Sequence, residues 1–181
     1  SWQTYHSGLT NASYALLLES TSAQFSYPTG WNSTAPTSTV FSIGTSGNVN
    51  TSTKTYVAYC WAEVAGFSKF GSYTGNGSAD GPFVYCGFRP RYVMIKCSST
   101  AGYNWTVVDT ARDTYNLTIY KLDPNESAAE NAGGSGNSTQ NTLDILSNGF
   151  KLRTSNGDTN TSQTYIYAAF AENPFQTARA R

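Results

Sequence analysis

Five carboxylates in this chain have the type and placement that acid–base chemistry would use. Glu63 and Glu172 close two nearly identical segments, residues 55–63 and 164–172, and Asp109, Asp113 and Glu130 fall between them. Glycoside hydrolysis would need two such groups held roughly 5–10 Å apart across a cleft. Equivalent ends of two similar segments are a poor way to build that pair. Glu63 and Glu172 are therefore expected to cap strands or to engage a local backbone group or arginine. The run Asp109-Thr110-Ala111-Arg112-Asp113 reads as an ion pair bracing a loop. His6-Ser7 lacks both a placed acid and a Gly-x-Ser-x-Gly turn, so it does not make a nucleophile with its base. Gly75-Asn76-Gly77-Ser78 lacks the Lys-Ser/Thr ending and the following helix of a phosphate loop. No catalytic residue is assigned, and the chain reads as a protein that is not an enzyme and needs no cofactor.

Cys60, Cys86 and Cys97 are odd in number and lack metal-ligand spacing, and His6 is the single histidine. No metal site is expected, and at most one disulfide. Cys60 and Cys86 lie inside aromatic, strand-like runs, which predicts buried free thiols behaving as small hydrophobes. Nine Asn-x-Ser/Thr sequons occur, at Asn11, Asn32, Asn50, Asn76, Asn104, Asn116, Asn125, Asn137 and Asn160. In a chain this rich in Asn, Ser and Thr they arise largely from composition. The binding signal is the set of rings embedded in polar loops: Tyr27, Trp31, Tyr73 and Tyr103 sit beside Gly, Ser, Asn and Thr. Flat rings next to hydroxyl and amide donors suit glycan recognition, the ring covering the apolar face of a sugar. The competing expectation is that they pack under their own loops or at a subunit contact.

Those residues need a scaffold, and its class is legible. With 12% charged residues and zero formal net charge, no field draws the 181-residue chain to nucleic acid or anionic lipid. Hydrophobic content of 39%, with 14% aromatic, can fill a core, which excludes disorder. No apolar run approaches membrane-spanning length. Short β-branched and aromatic runs separated by Gly, Asn and Pro predict an all-β antiparallel sandwich with almost no helix beyond one turn near residues 127–131.

The block at residues 66–96 opens with turn chemistry (Gly71, Gly75-Asn76-Gly77, Asp80-Gly81-Pro82) and ends in two strands at residues 83–86 and 92–95. The residues on its N-terminal side resemble those on its C-terminal side. Residues 2–6 resemble 105–109, residues 41–43 pair with 149–152, and the strand predicted at 55–63 is copied by 164–172 at an offset of 109 positions. That spacing exceeds solenoid periods and predicts two related β-units, residues 1–65 as a partial copy and 66–181 as a complete one, in one sandwich or two abutting lobes. The counterpart of residues 83–96 is expected upstream of Ser1, the chain being a cut through a longer tandem polypeptide. In the last strand Tyr165, Tyr167, Ala169 and Ala171 face one way and Ile166, Ala168, Phe170 and Glu172 the other. Both faces are apolar, so this strand and its twin are expected to be central and covered on both sides.

The run GSYTGNGSADGPFVYCGFRPRYVMIK, the NW…DTARDTYN segment, LSNGFKLRTS and the closing TYIYAAFAENPF resemble a domain of unnamed function. It recurs in tail-fibre and other virion structural proteins of tailed bacteriophages, especially marine and cyanobacterial ones. The resemblance covers residues 66–175 closely and the first half loosely. It implies a virion location and contact with copies of itself, as a homotrimer, and with other virion proteins, and it supplies no site residues. A lectin-like or jelly-roll tail-fibre domain binding a host-surface polysaccharide is the expected function. A capsid-decoration or fibre-shaft module is the alternative, and a polysaccharide depolymerase ranks last.

Overall fold

The computed structural model describes residues 1–132 and 143–173. The strands are β1 (Gln3–Thr4), β2 (Tyr14–Leu17), β3 (Phe25–Ser26), β4 (Ser68–Thr74), β5 (Phe83–Tyr85) and β6 (Pro90–Cys97). They continue with β7 (Trp105–Asp109), β8 (Tyr120–Lys121), β9 (Asn131–Ala132), β10 (Leu143–Leu146), β11 (Gly149–Leu152) and β12 (Thr164–Ala171). Two single helical turns, α1 (Pro28–Trp31) and α2 (Gly47–Asn50), interrupt them. The chain is mostly β, every pairing is antiparallel, and helix is almost absent among the described residues.

The main sheet runs β4-β12-β6-β7 and a second sheet runs β10-β11-β5. β12 is central, paired over its length with β4 on one side and β6 on the other. Alternation along it divides two environments. Tyr165, Tyr167 and Ala169 join Val93, Ile95, Cys97 and Val108 in one apolar cluster with Val84, Phe150, Leu152 and Ile145 of the second sheet. Ile166 points the other way, into a smaller cluster with Leu9, Leu16 and Trp105, where the β1-β2-β3 sheet covers one end of the main sheet.

Polar links fasten this cover. Trp105 Nε1 donates to the Leu17 carbonyl, and the buried Lys96 ammonium donates to the carbonyls of Thr21 and Tyr103. Burial lowers the Lys96 pKa, because the charged form loses its water. His6 spans the same junction: Nε2 meets the Tyr167 carbonyl at 3.0 Å and Nδ1 accepts from Gly8 N–H at 2.9 Å. With Nδ1 accepting, the ring is the neutral Nε2–H tautomer.

Several expectations are corrected. Residues 55–63 form no strand; they run exposed and unpaired, so the proposed twin of β12 is neither central nor covered. Residues 40–43 likewise form no strand and lie exposed. The reason is common to both: β-propensity needs a neighbouring ladder, and none of the described strands pairs with either segment. The turn expected around Gly71 is instead β4, whose glycine leaves room for the Tyr167 ring; a Cβ there would sit 2.9 Å from the Tyr167 hydroxyl. No helical turn forms at residues 127–130, while α1 begins at Pro28 and ends at Asn32 in the left-handed conformation (φ 52°). Cys86 is a buried free thiol as expected, and Cys97 is a second one, but Cys60, carried on the unpaired segment, is exposed. The glycine-rich loop at residues 130–139 and the Asn137 sequon lie largely outside the described residues.

Candidate binding surface

β4, β12 and β6 present Phe70, Ala168, Phe170, Tyr92 and Met94 on the face turned away from the main core, beside the β1-β3 cover: Met94 packs against the smaller cluster and Phe70 meets His6. These five side chains and Trp61 line a groove of about 420 Å³. Phe170 is its hub, meeting Phe67, Phe70 and Tyr92 edge-on at centroid distances of 6.1, 5.8 and 5.9 Å. Such edge-to-face geometry sets the positive ring edge against the negative face of its neighbour.

Trp61 reaches the groove from the unpaired segment, and a local turn determines where that segment leaves. Gly66 adopts φ +76°, where a Cβ is disfavoured, and lets Val64 and Ser68 exchange both backbone hydrogen bonds. Ser68 Oγ then donates to the Ala62 carbonyl, and Lys69 pairs with Glu63 at 2.6 Å. Beyond Ala62 the chain departs from the sheet. Tyr59 stacks on Trp61 (6.2 Å, 21°) and meets Trp2 at 5.9 Å, so three exposed rings continue the groove outward.

Titratable groups near the groove are already engaged. The His6 ring lies edge-on to Phe70, and burial holds its pKa below 6.5 against the pull of the Tyr167 carbonyl. Burial, then the charge of Asp109, pushes the Tyr92 phenol up. Asp109 pairs with Arg112 at 2.8 Å and caps the amides of Ala111 and Arg112, while Glu130 takes a second Arg112 nitrogen, which is the loop brace expected from the sequence. Glu172 pairs with Arg89 at 3.2 Å, and Asp113 accepts from the amides of Ile119 and Tyr120. Each of the five carboxylates singled out in the sequence thus has a partner, Asp109 and Glu130 sharing Arg112. Among the described residues no group of three or more His, Cys, Asp or Glu could hold a metal ion, and no helix is long and apolar enough to cross a membrane.

The family described as Domain of unknown function (DUF7483) matches residues 1–174. The chain belongs to that family. No curated protein and no solved structure matches it.

Within this DUF7483 chain the four candidate glycan-binding rings lie in two separate places. Tyr27 is buried, its hydroxyl 2.7 Å from Ser46 Oγ and its ring against Gly30, and Trp31 packs edge-on to it at 5.9 Å. Trp31 Nε1 is buried with no hydrogen-bond partner. Tyr73 stacks on Tyr165 at 5.2 Å and donates to the Thr159 carbonyl; burial raises its pKa well above 10.0. Tyr103 packs at the edge of the main core, its ring over Gly157. All four have packing roles, and none lines the groove.

The sequence reading missed two features. A buried cation, Lys121, sits 2.9 Å from both Asp123 and Asp158; their hydrogen bonds and charge raise its pKa against the opposing effect of burial. The Gly75–Ser78 loop is stapled by the fully buried Asn160, which accepts from Asn76 N–H and donates to Asn76 Oδ1 and to the Ser78 and Thr154 carbonyls. An i, i+37 charge pair and an Asn 84 positions away carry no local signal. The groove was half-visible: alternation in β12 placed Phe170 and Ala168 on one face, but not which part of that face stays uncovered.

Proposed function

We propose that this chain is a non-catalytic structural module of a bacteriophage particle, a fibre-shaft or decoration domain, that works through its aromatic face. The observation carrying this reading is the composition of the groove. Of its six lining residues only Trp61 and Tyr92 carry a side-chain hydrogen-bonding group; the rest are Phe, Met and Ala. A sugar site needs several convergent polar groups, whereas hydrocarbon and rings suit a protein surface. The two sheets sharing one core support a lectin-like sandwich, and the likeness of residues 55–63 to β12 supports descent from a duplicated unit. The virion context rests on the sequence resemblance. Labelling purified particles with an antibody to this chain tests it. Regular labelling at one particle position is expected, and particles devoid of the chain would refute the reading.

A second reading, host-glycan adhesion by a tail fibre, is favoured by one loop. Tyr115 is 85% exposed on a segment held by Asp113 and by the two-way hydrogen bonds of Asn116 with the Ile145 backbone. A rigid loop presenting an exposed ring suits sugar stacking. Tyr115→Ala is then expected to lower binding to host cells at least 10-fold, and unchanged binding removes this reading.

A further inference from the structure

The segment 55–62 and the outer edge of β4 are two unfinished halves of one β-ladder. The segment has strand composition and no charged residue, and Val57, Tyr59 and Trp61 are 67, 65 and 65% exposed. β4 ends its sheet, and among the described residues no strand lies outside it. The Val64–Ser68 exchange shows that Ser68 turns its backbone groups outward, and Gly75 N–H turns inward to the Gln163 carbonyl. Alternation therefore directs the amides of Phe70, Ser72 and Thr74 outward as well.

Resting on the structural-module reading, we propose that residues 55–62 of one copy add as a strand to the β4 edge of a second copy of this chain. A second copy matches this surface in three respects. Each molecule carries both the free strand and the free edge, which makes the surface self-complementary, and closure of such contacts gives a finite ring or pair. The neutral segment excludes partners held by charge, such as nucleic acid or anionic lipid. Finally, Tyr56, Val57, Tyr59, Trp61 and Val64 are exposed, and Trp61 lines the groove, a continuous apolar surface of the kind that the core of an interface between copies buries. Pairing also shields an exposed strand and an open edge, both of which otherwise invite aggregation.

Sedimentation equilibrium of the purified chain tests the proposal. The wild type is expected at an integral multiple of the monomer mass. Val57→Asp with Trp61→Ser should weaken self-association at least 100-fold and leave the denaturation midpoint of the monomer unchanged, because both side chains are exposed in the single chain. Ser72→Pro, which removes an outward amide, should weaken it similarly. If that variant folds poorly, hydrogen exchange on the wild type replaces it: the amides of Phe70, Ser72 and Thr74 should be protected in the oligomer and exchange at least 100-fold faster in the Val57→Asp/Trp61→Ser monomer. A monomeric wild type, an oligomer indifferent to the double variant, or unprotected β4 amides in the oligomer each overturn the proposal. A monomeric chain that still labels particles would sink the pairing alone, whereas particles lacking the chain would sink the structural-module reading alone.

Discussion

Residues 55–63 and β12 are nearly the same sequence in opposite circumstances. Both read Thr-Tyr, then a β-branched residue, then a second tyrosine among small residues, then an aromatic, Ala and Glu. β12 is flanked by β4 and β6 and buries Tyr165, Tyr167 and Ala169; the earlier segment has no ladder and leaves Val57, Tyr59 and Trp61 in solvent. Strand-forming side chains therefore supply a capacity that only a neighbour's backbone realises. Even the glutamates agree locally, each with a cation, Lys69 for Glu63 and Arg89 for Glu172, while the strands before them diverge.

Four measurements sharpen or break that contrast. The largest effect is expected at Tyr165, fully buried, with its hydroxyl donating to the Gly157 carbonyl and accepting from Thr161 N–H. Tyr165→Ala should destabilise the fold by about 3–5 kcal/mol in urea titration, as cavities under large aromatic residues do. A loss below about 1 kcal/mol would mean that β12 is not the core strand. Next comes Asn160, just before β12. Asn160→Ala leaves the Asn76 amide and two carbonyls without their partner, for a loss of about 2 kcal/mol by the same titration.

The third measurement uses pH. Folded His6 resists protonation because its ring is buried over β12, whereas the unfolded histidine titrates near 6.5. Its contribution is thus complete above about pH 6.5 and is lost as pH falls below that value, and His6→Asn should flatten this part of the stability profile. At the alkaline end burial pushes the Cys86 thiol up to about 12 from 9.0, so stability should decline as pH rises above about 9, less so in Cys86→Ser. The smallest effect is expected on the other side of the comparison. Tyr59→Ala should change monomer stability by no more than about 0.5 kcal/mol, because its ring is mostly solvated.

Much of the two sheets was legible because its signal is local. Alternation in β12, and the short apolar runs that became β5 and β6, need only their own residues to be recognised. β4 was hidden by Gly71, a turn-former in isolation, whose presence is explained by the Tyr167 ring packed over it from β12. The four candidate rings mislead for the same reason. Tyr73 has Gly, Ser and Thr around it in sequence, but its environment is set by the Tyr165 ring and by the Thr159 carbonyl, 86 positions on. Neighbouring polar residues do not predict exposure when the partner that buries the ring comes from elsewhere. The groove depends on where the β1-β3 cover ends, a fact of tertiary packing alone.

The exposed thiol on the unpaired segment has a practical consequence. Cys86 and Cys97 lie inside the core and Cys86 holds its proton far into the alkaline range, which leaves Cys60 as the one sulfhydryl that a reagent reaches in the folded molecule. A fluorophore or spin label added to unmodified protein would therefore mark a single position, flanked by Tyr59 and Trp61, and report directly on whatever comes to rest against it.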